Sequence, residues 1–155
     1  MAARARGPES LRPLLLALLV FGLAGTGTEL LLLGHYDGAA QLIPLVLTVL
    51  ALAAIAAHVF TRSAGSLRAL RLVMASLVVA GLVGVVLHFR GNLEFQLDMD
   101  PAASSWELFK KVVRAKAPPA LAPGAMVQLG LLGLIYTYRH PAMTRGGGLT
   151  EGLSV

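Results

Sequence analysis

The sequence predicts an all-α integral membrane protein with four transmembrane helices. Of its 155 residues, 56% are hydrophobic and only 14% are charged, whereas soluble domains average about 45–50% apolar and about 25% charged residues. Four stretches are apolar over the roughly 20 residues that a helix needs to cross a bilayer. Arginines cluster in the segments between these stretches, a pattern that sets the orientation of membrane helices.

The composition also excludes several classes of protein. Intrinsic disorder needs low hydrophobicity and high charge, and a sequence without cysteine holds neither disulfides nor a zinc–thiolate module. The net charge of +5 comes from basic residues that are separated by apolar runs, so we expect no binding to nucleic acid. A chain of this length forms one membrane domain, residues 1–155.

The predicted spans cover residues 13–33, 42–60, 72–89 and 120–138. The first span contains one charge, Glu29, and its apolar run is longer than the core of a signal peptide, so we expect an uncleaved helix. The second and third spans are uncharged. The fourth contains Pro123 and three glycines, which membrane helices tolerate where neighbouring helices satisfy the backbone.

The distribution of Lys and Arg predicts that both termini are cytoplasmic. With this orientation, eight arginines flank the inner ends of the spans and five basic residues lie outside. The Arg- and Ala-rich composition suggests a bacterial inner membrane protein. Between the third and fourth spans lies an extracytoplasmic segment, residues 91–119, and the Gly-rich tail, residues 144–155, is predicted to be flexible.

The sequence pattern of the extracytoplasmic segment predicts a strand followed by a short helix. Residues 93–100 alternate between apolar and polar, the period of a half-buried strand. The apolar face of this strand would consist of Leu93, Phe95, Leu97 and Met99. Because no second strand-like run exists in the sequence, the strand would either cover its own bundle or pair with the sheet edge of another protein.

An amphipathic helix is predicted to follow this strand. Ser104 and Glu107 have the spacing of a capping box, and Trp106 and Phe109 recur at a helical interval. Basic residues gather toward its C-terminal end, where cations suit the helix dipole. A basic helix with an aromatic face is typical of helices that lie in the headgroup plane, and a partner-binding face is the alternative.

Two polar side chains are predicted inside the membrane, Glu29 and Gln128. An intramembrane carboxylate indicates either a proton or ion site or a polar clamp between helices. For a clamp, the partners at similar depth would be His88 and Arg90. A transporter would use Glu29, Gln128 and Tyr136 as its lining.

The four histidines form two pairs by predicted depth. His35 and His88 lie at the outer ends of spans, and His58 and His140 lie at the inner ends. Paired histidines on neighbouring helices are the ligands with which a helical bundle holds haem b. A divalent metal is a second possibility, because His and carboxylate ligands suit zinc or iron. Its ligands would be His35, Asp37, His88 and Glu94. No tight ligand motif occurs, so no cofactor is predicted, and haem b and a divalent metal stay as alternatives.

The third span carries small residues at every fourth position, Ser76, Ala80 and Gly84. Such a face lets two helices approach closely. Neither a nucleophile elbow nor a phosphate-binding glycine pattern is present in the sequence. These observations favour a small non-catalytic subunit or assembly factor of a larger membrane complex, such as an energy-transducing one, which would dock through residues 91–119. The alternatives are an oligomeric ion, proton or solute transporter and a haem- or metal-binding redox protein.

Overall fold

The structure, a computed structural model, describes residues 11–115 and 121–143. Within these ranges the chain is helical and has no strand. The α-helices are α1 (Arg12–Leu32), α2 (Ala39–Thr61), α3 (Ala64–Met99), α4 (Ser105–Val113) and α5 (Leu121–Thr137), followed by a 3₁₀ turn (Pro141–Met143). The predicted flexible tail, residues 144–155, lies outside the described residues.

Three helices, α1, α2 and α3, are long and apolar enough to cross a membrane. Large apolar side chains cover their outward faces: Phe21, Leu32 and Phe60 are 78%, 83% and 87% exposed. An apolar surface of this extent suits lipid rather than water. The all-helical class is confirmed, and these helices are as expected for a membrane protein. The shorter helix α5 has 17 residues, about 26 Å at 1.5 Å per residue, so the fourth span stays a prediction.

Short turns join the first three helices into consecutive hairpins. After α1, the amide of His35 donates to the carbonyl of Leu30 and the amide of Gly34 donates to that of Leu31. This is a Schellman motif, and its left-handed position is filled by Gly34 with φ +66°. Before α3, Ser63 caps the helix because its hydroxyl accepts from the amide of Ser66.

Glycines bring α3 and α5 into close contact. A Cβ atom at Gly81 would lie 2.7 Å from the carbonyl oxygen of Pro123, and a Cβ at Gly130 would lie 2.7 Å from that of Met74. The two contacts mirror each other, since Gly81 also faces Val127 and Gly130 also faces Val78. The backbones of the two helices are therefore in direct contact at Gly81 and at Gly130.

The predicted small-residue face of α3 is displaced from this contact. Ser76 is exposed, and its hydroxyl donates to the carbonyl of Leu72 in its own helix. Ala80 packs against the core, and a Cβ at Gly84 would lie 3.0 Å from Pro123 Cβ. The contact face instead includes Met74, Leu77, Gly81 and Gly84. Ser76 lies outside this face because strict four-residue spacing drifts around the helix, whereas a contact stripe mixes steps of three and four.

The predicted strand over residues 93–100 is wrong, because α3 continues through Met99. Helical geometry splits the supposed apolar face, since a step of two residues turns the side chain by about 200° and a step of four by about 40°. Leu93 and Leu97 thus lie on one side of the helix, and Phe95 and Met99 lie on another. When α3 is extended by further residues, their backbone N–H groups form hydrogen bonds with carbonyl groups of the same helix. In a lone strand the backbone N–H and C=O groups would stay unpaired.

Candidate functional site

Polar side chains of the described residues collect at the two ends of the bundle. The arginine end is formed by the start of α1, the α2–α3 turn and the end of α5, and holds Arg12, His58, Arg62, Arg71, Tyr136, Arg139 and His140. The opposite end carries the α1–α2 turn and an arm. The arm comprises residues 90–99 of α3, the following turn and α4.

At the arginine end, two guanidinium groups cap the C-terminus of α5. Arg12 donates to the carbonyl oxygens of Tyr136, Tyr138 and Arg139 at 3.1, 3.3 and 3.0 Å. Arg71 donates to the carbonyl oxygen of Thr137 at 2.9 Å. The last carbonyl groups of a helix have no partner inside the helix and carry its negative dipole end, so both arginines stabilise α5. They also tie the starts of α1 and α3 to the end of α5.

The structure brings His58 and His140 together at this end. Their ring centroids are 5.0 Å apart, and the ring of Tyr136 lies 6.1 Å from His58 and 5.3 Å from His140. His58 is buried, and its Nδ1 is 3.1 Å from the hydroxyl of Ser66. Aromatic rings in direct contact have centroids about 4.5–7 Å apart. The three rings therefore pack on one another.

The protonation of His140 follows from its surroundings. The amide of Ala142 donates to its Nδ1 at 3.2 Å, which requires a lone pair on that nitrogen. Burial, and then the charges of Arg12 and His58, lower the pKa of His140. Both observations favour a neutral imidazole that carries its proton on Nε2.

At the other end, His35 and His88 also meet, with stacked rings whose centroids are 6.2 Å apart. The proposed metal ligands Asp37 and Glu94 do not join them, because the described residues contain no group of three or more His, Cys, Asp or Glu that could hold a metal ion. Glu94 is exposed on the arm. The backbone amide of Asp37 donates a hydrogen bond to the side-chain oxygen of Gln41.

The two intramembrane polar residues lie on the outside of the bundle. Glu29 is exposed and lines a shallow open groove on α1 with neighbours that include Phe21, Thr28 and Leu32. Within the described residues its carboxylate forms no ion pair or hydrogen bond, so the predicted clamp with His88 and Arg90 is not formed. Gln128 is exposed on α5. Neither side chain faces the interior of the bundle.

The arm is held together by polar and aromatic contacts. Ser104 and Glu107 form the predicted capping box at the start of α4, and Lys111 pairs with Asp100 at 2.8 Å. The hydrogen bond from Lys111, and then its charge, lowers the pKa of Asp100. Val112 is fully buried, and the rings of Phe89 and Phe109 lie 6.4 Å apart.

The arm nevertheless leaves large apolar side chains uncovered. Phe95, Met99 and Trp106 are 62%, 71% and 66% exposed, and Phe109 is 46% exposed. Leu93 is half-buried and Leu97 is 39% exposed. Of the six residues predicted to dock a partner, five are therefore exposed and Leu93 is half-buried.

The capping arginines and the paired glycines were not among the residues predicted from the sequence. Arg12 and Arg71 fit the general pattern of basic residues that sets the orientation of membrane helices. Their neighbours in the sequence do not indicate which carbonyl groups they bind. The glycines did carry a signal, because Gly81 and Gly84 repeat the three-residue spacing of Gly130 and Gly133. No family model matches the chain, and no curated protein and no solved structure is similar to it.

Proposed function

We propose that the protein is a small non-catalytic membrane subunit, or an assembly factor, of a larger bacterial membrane complex. The arm is its docking element. The observation that carries this proposal is the exposure of three large apolar side chains on the arm, Phe95, Met99 and Trp106.

The length of α3 supports a position of the arm beyond the lipid. Its 36 residues extend about 54 Å, whereas the hydrocarbon core is about 30 Å thick. The uncharged part of α3, residues 72–89, fills this thickness, so residues 90–99 extend about 15 Å further at 1.5 Å per residue. Aromatic side chains and Met that are exposed on such an extension are the residue types enriched at protein interfaces.

The internal contacts of the arm support docking as well. The capping box and the Asp100–Lys111 pair hold α4 in place before any partner binds. A preformed surface loses less conformational entropy on association than a mobile loop. At the arginine end, Arg12, His58 and Arg71 are engaged in contacts between helices, which favours a structural role for these three residues over a catalytic one.

The proposal is tested by replacing Phe95 with Asp in the full chain, expressed in its native membrane. A charge at the centre of an apolar contact should weaken association at least tenfold, because truncating an interface anchor costs about 2 kcal/mol or more. The measurement is the amount of each native protein that co-purifies with the variant. Protease protection of the spans verifies insertion.

The matched control is Glu94→Ala, which alters an exposed polar side chain in the same turn. This variant should retain its co-purifying proteins. Retention of every native partner by Phe95→Asp would show that the arm does not dock, and equal losses in both variants would indicate a general disturbance of the arm.

A further inference from the structure

We propose that the arginine end binds a phosphate group, the chemistry shared by anionic phospholipid headgroups and by free phosphate compounds. The site is built from three separate parts of the chain. Arg12 comes from α1, Arg62 from the α2–α3 turn, and Arg139 from the segment after α5. His58 and His140, whose ring centroids are 5.0 Å apart, lie at the same end.

The charge of this end is uncompensated within the described residues. Every described carboxylate lies near the opposite end of the bundle: Glu29, Asp37, Glu94, Asp98, Asp100 and Glu107. The amide of Arg62 donates to the carbonyl oxygen of His58, and the guanidinium of Arg12 donates to the carbonyl oxygens of Tyr136 and Arg139. Several cations thus share one end of the bundle without a carboxylate among the described residues there, which is the arrangement that attracts an anion.

One donor at this end also lacks an acceptor. The Nε of Arg12 is buried and has no hydrogen-bond partner among the described residues, although the terminal nitrogens of the same side chain are both engaged. Buried donors are nearly always satisfied in folded proteins, and an exception calls for an unseen partner such as an ion. A phosphate oxygen would provide that acceptor.

The backbone supplies an independent indication. Among the described residues, only Arg62 and Arg139 adopt a positive φ without being glycine, with φ values of 48° and 45°. Non-glycine residues in this region are uncommon, and such conformations concentrate at ligand-binding sites. Here both are arginines at the same end of the bundle: Arg62 directly follows α2, and Arg139 lies two residues after the end of α5.

The surroundings favour a lipid as the source of the phosphate. The ring of Tyr138 carries the guanidinium of Arg139 at 5.3 Å, and tyrosine is typical of the membrane–water interface. Exposed apolar side chains adjoin the basic residues, among them Phe60 and Leu72 at 87% and 70% exposure. A free anion would leave these apolar side chains exposed to water, whereas the acyl chains of a lipid would cover them.

The test uses the purified full chain in detergent and a fluorescent phosphatidylglycerol. Unlabelled phosphatidylglycerol, phosphatidylcholine and inorganic phosphate serve as competitors. The variants are Arg62→Gln and Arg139→Gln, whose side chains are exposed. Each should bind about fivefold more weakly, and the double variant about twentyfold, as expected for the loss of one or two basic contacts with an anionic headgroup.

Arg90→Gln and Arg114→Gln are the matched controls, because they remove the same charge from exposed residues at the opposite end. Competition by phosphatidylglycerol alone supports a lipid site, and competition by inorganic phosphate as well supports a site for free phosphate compounds. The proposal fails if phosphatidylcholine competes as well as phosphatidylglycerol, or if the control variants weaken binding as much as Arg62→Gln does. Unchanged helicity and melting temperature of the variants separate loss of binding from loss of fold.

Discussion

Two glycines set the distance between α3 and α5. At Gly81 and Gly130 a methyl group would meet backbone atoms of the facing helix, which cannot rotate away as a side chain can. Membrane helices gain little from hydrophobic burial against one another, so close packing has to supply the stability of the bundle. Glycine is required here for its lack of volume rather than for its conformational freedom.

Gly81→Ala should therefore destabilise the bundle. Forcing a methyl group into a filled contact costs about 1–3 kcal/mol, measured as the free energy of unfolding in a detergent–denaturant titration. Gly91→Ala is the control on the same helix, because a Cβ there meets nothing within 4 Å. Equal unfolding free energies for the two variants would contradict the close contact.

At the scale of single elements, local signals predict the ends of helices better than their extent. The capping box of α4 is formed as the spacing of Ser104 and Glu107 predicts, because capping depends only on residues three apart. The secondary structure of residues 93–99 depends instead on whether the preceding residues already form α3. An alternating pattern of Leu, Glu, Gln and Met is compatible with a helix, since these residues are all good helix formers.

Ser104→Ala should loosen α4 without unfolding the bundle. Loss of an N-cap costs about 1 kcal/mol, which corresponds to about fivefold faster amide hydrogen exchange over residues 107–113 if α4 opens as a unit. Ser105→Ala is the control, since Ser105 is exposed and the cap is formed by Ser104. Unchanged exchange in Ser104→Ala would mean that tertiary contacts alone hold α4.

At the scale of the whole molecule, Arg12 fixes the relation between the first and last helices. Its bonds to Tyr136, Tyr138 and Arg139 bring the start of α1 beside the end of α5. An even number of crossings brings two chain ends to one side of a membrane. This contact therefore agrees with four spans, although α5 is shorter than the other three helices.

Reporter fusions test the four-span topology. Fusions at Asp37 and Ser105 should report the extracytoplasmic side, and fusions at Ala64 and Gly147 should report the cytoplasm, as the excess of arginines at the inner ends predicts. The same side for Ser105 and Gly147 would show that residues 120–138 do not cross the membrane. The opposite result at all four positions would preserve the spans and invert the orientation.

The sequence by itself determined the helical class, the three long apolar helices and the cap of α4, because hydropathy and capping act over neighbouring residues. Only the tertiary structure decided which small residues touch, where Glu29 points and which carbonyl groups the arginines cap. Those features join residues far apart in the chain, up to 127 positions for Arg12 and Arg139. The arginines illustrate the difference. Their clustering can be read from the sequence, but the carbonyl groups that they bind come within reach only after α1 and α3 have packed against α5.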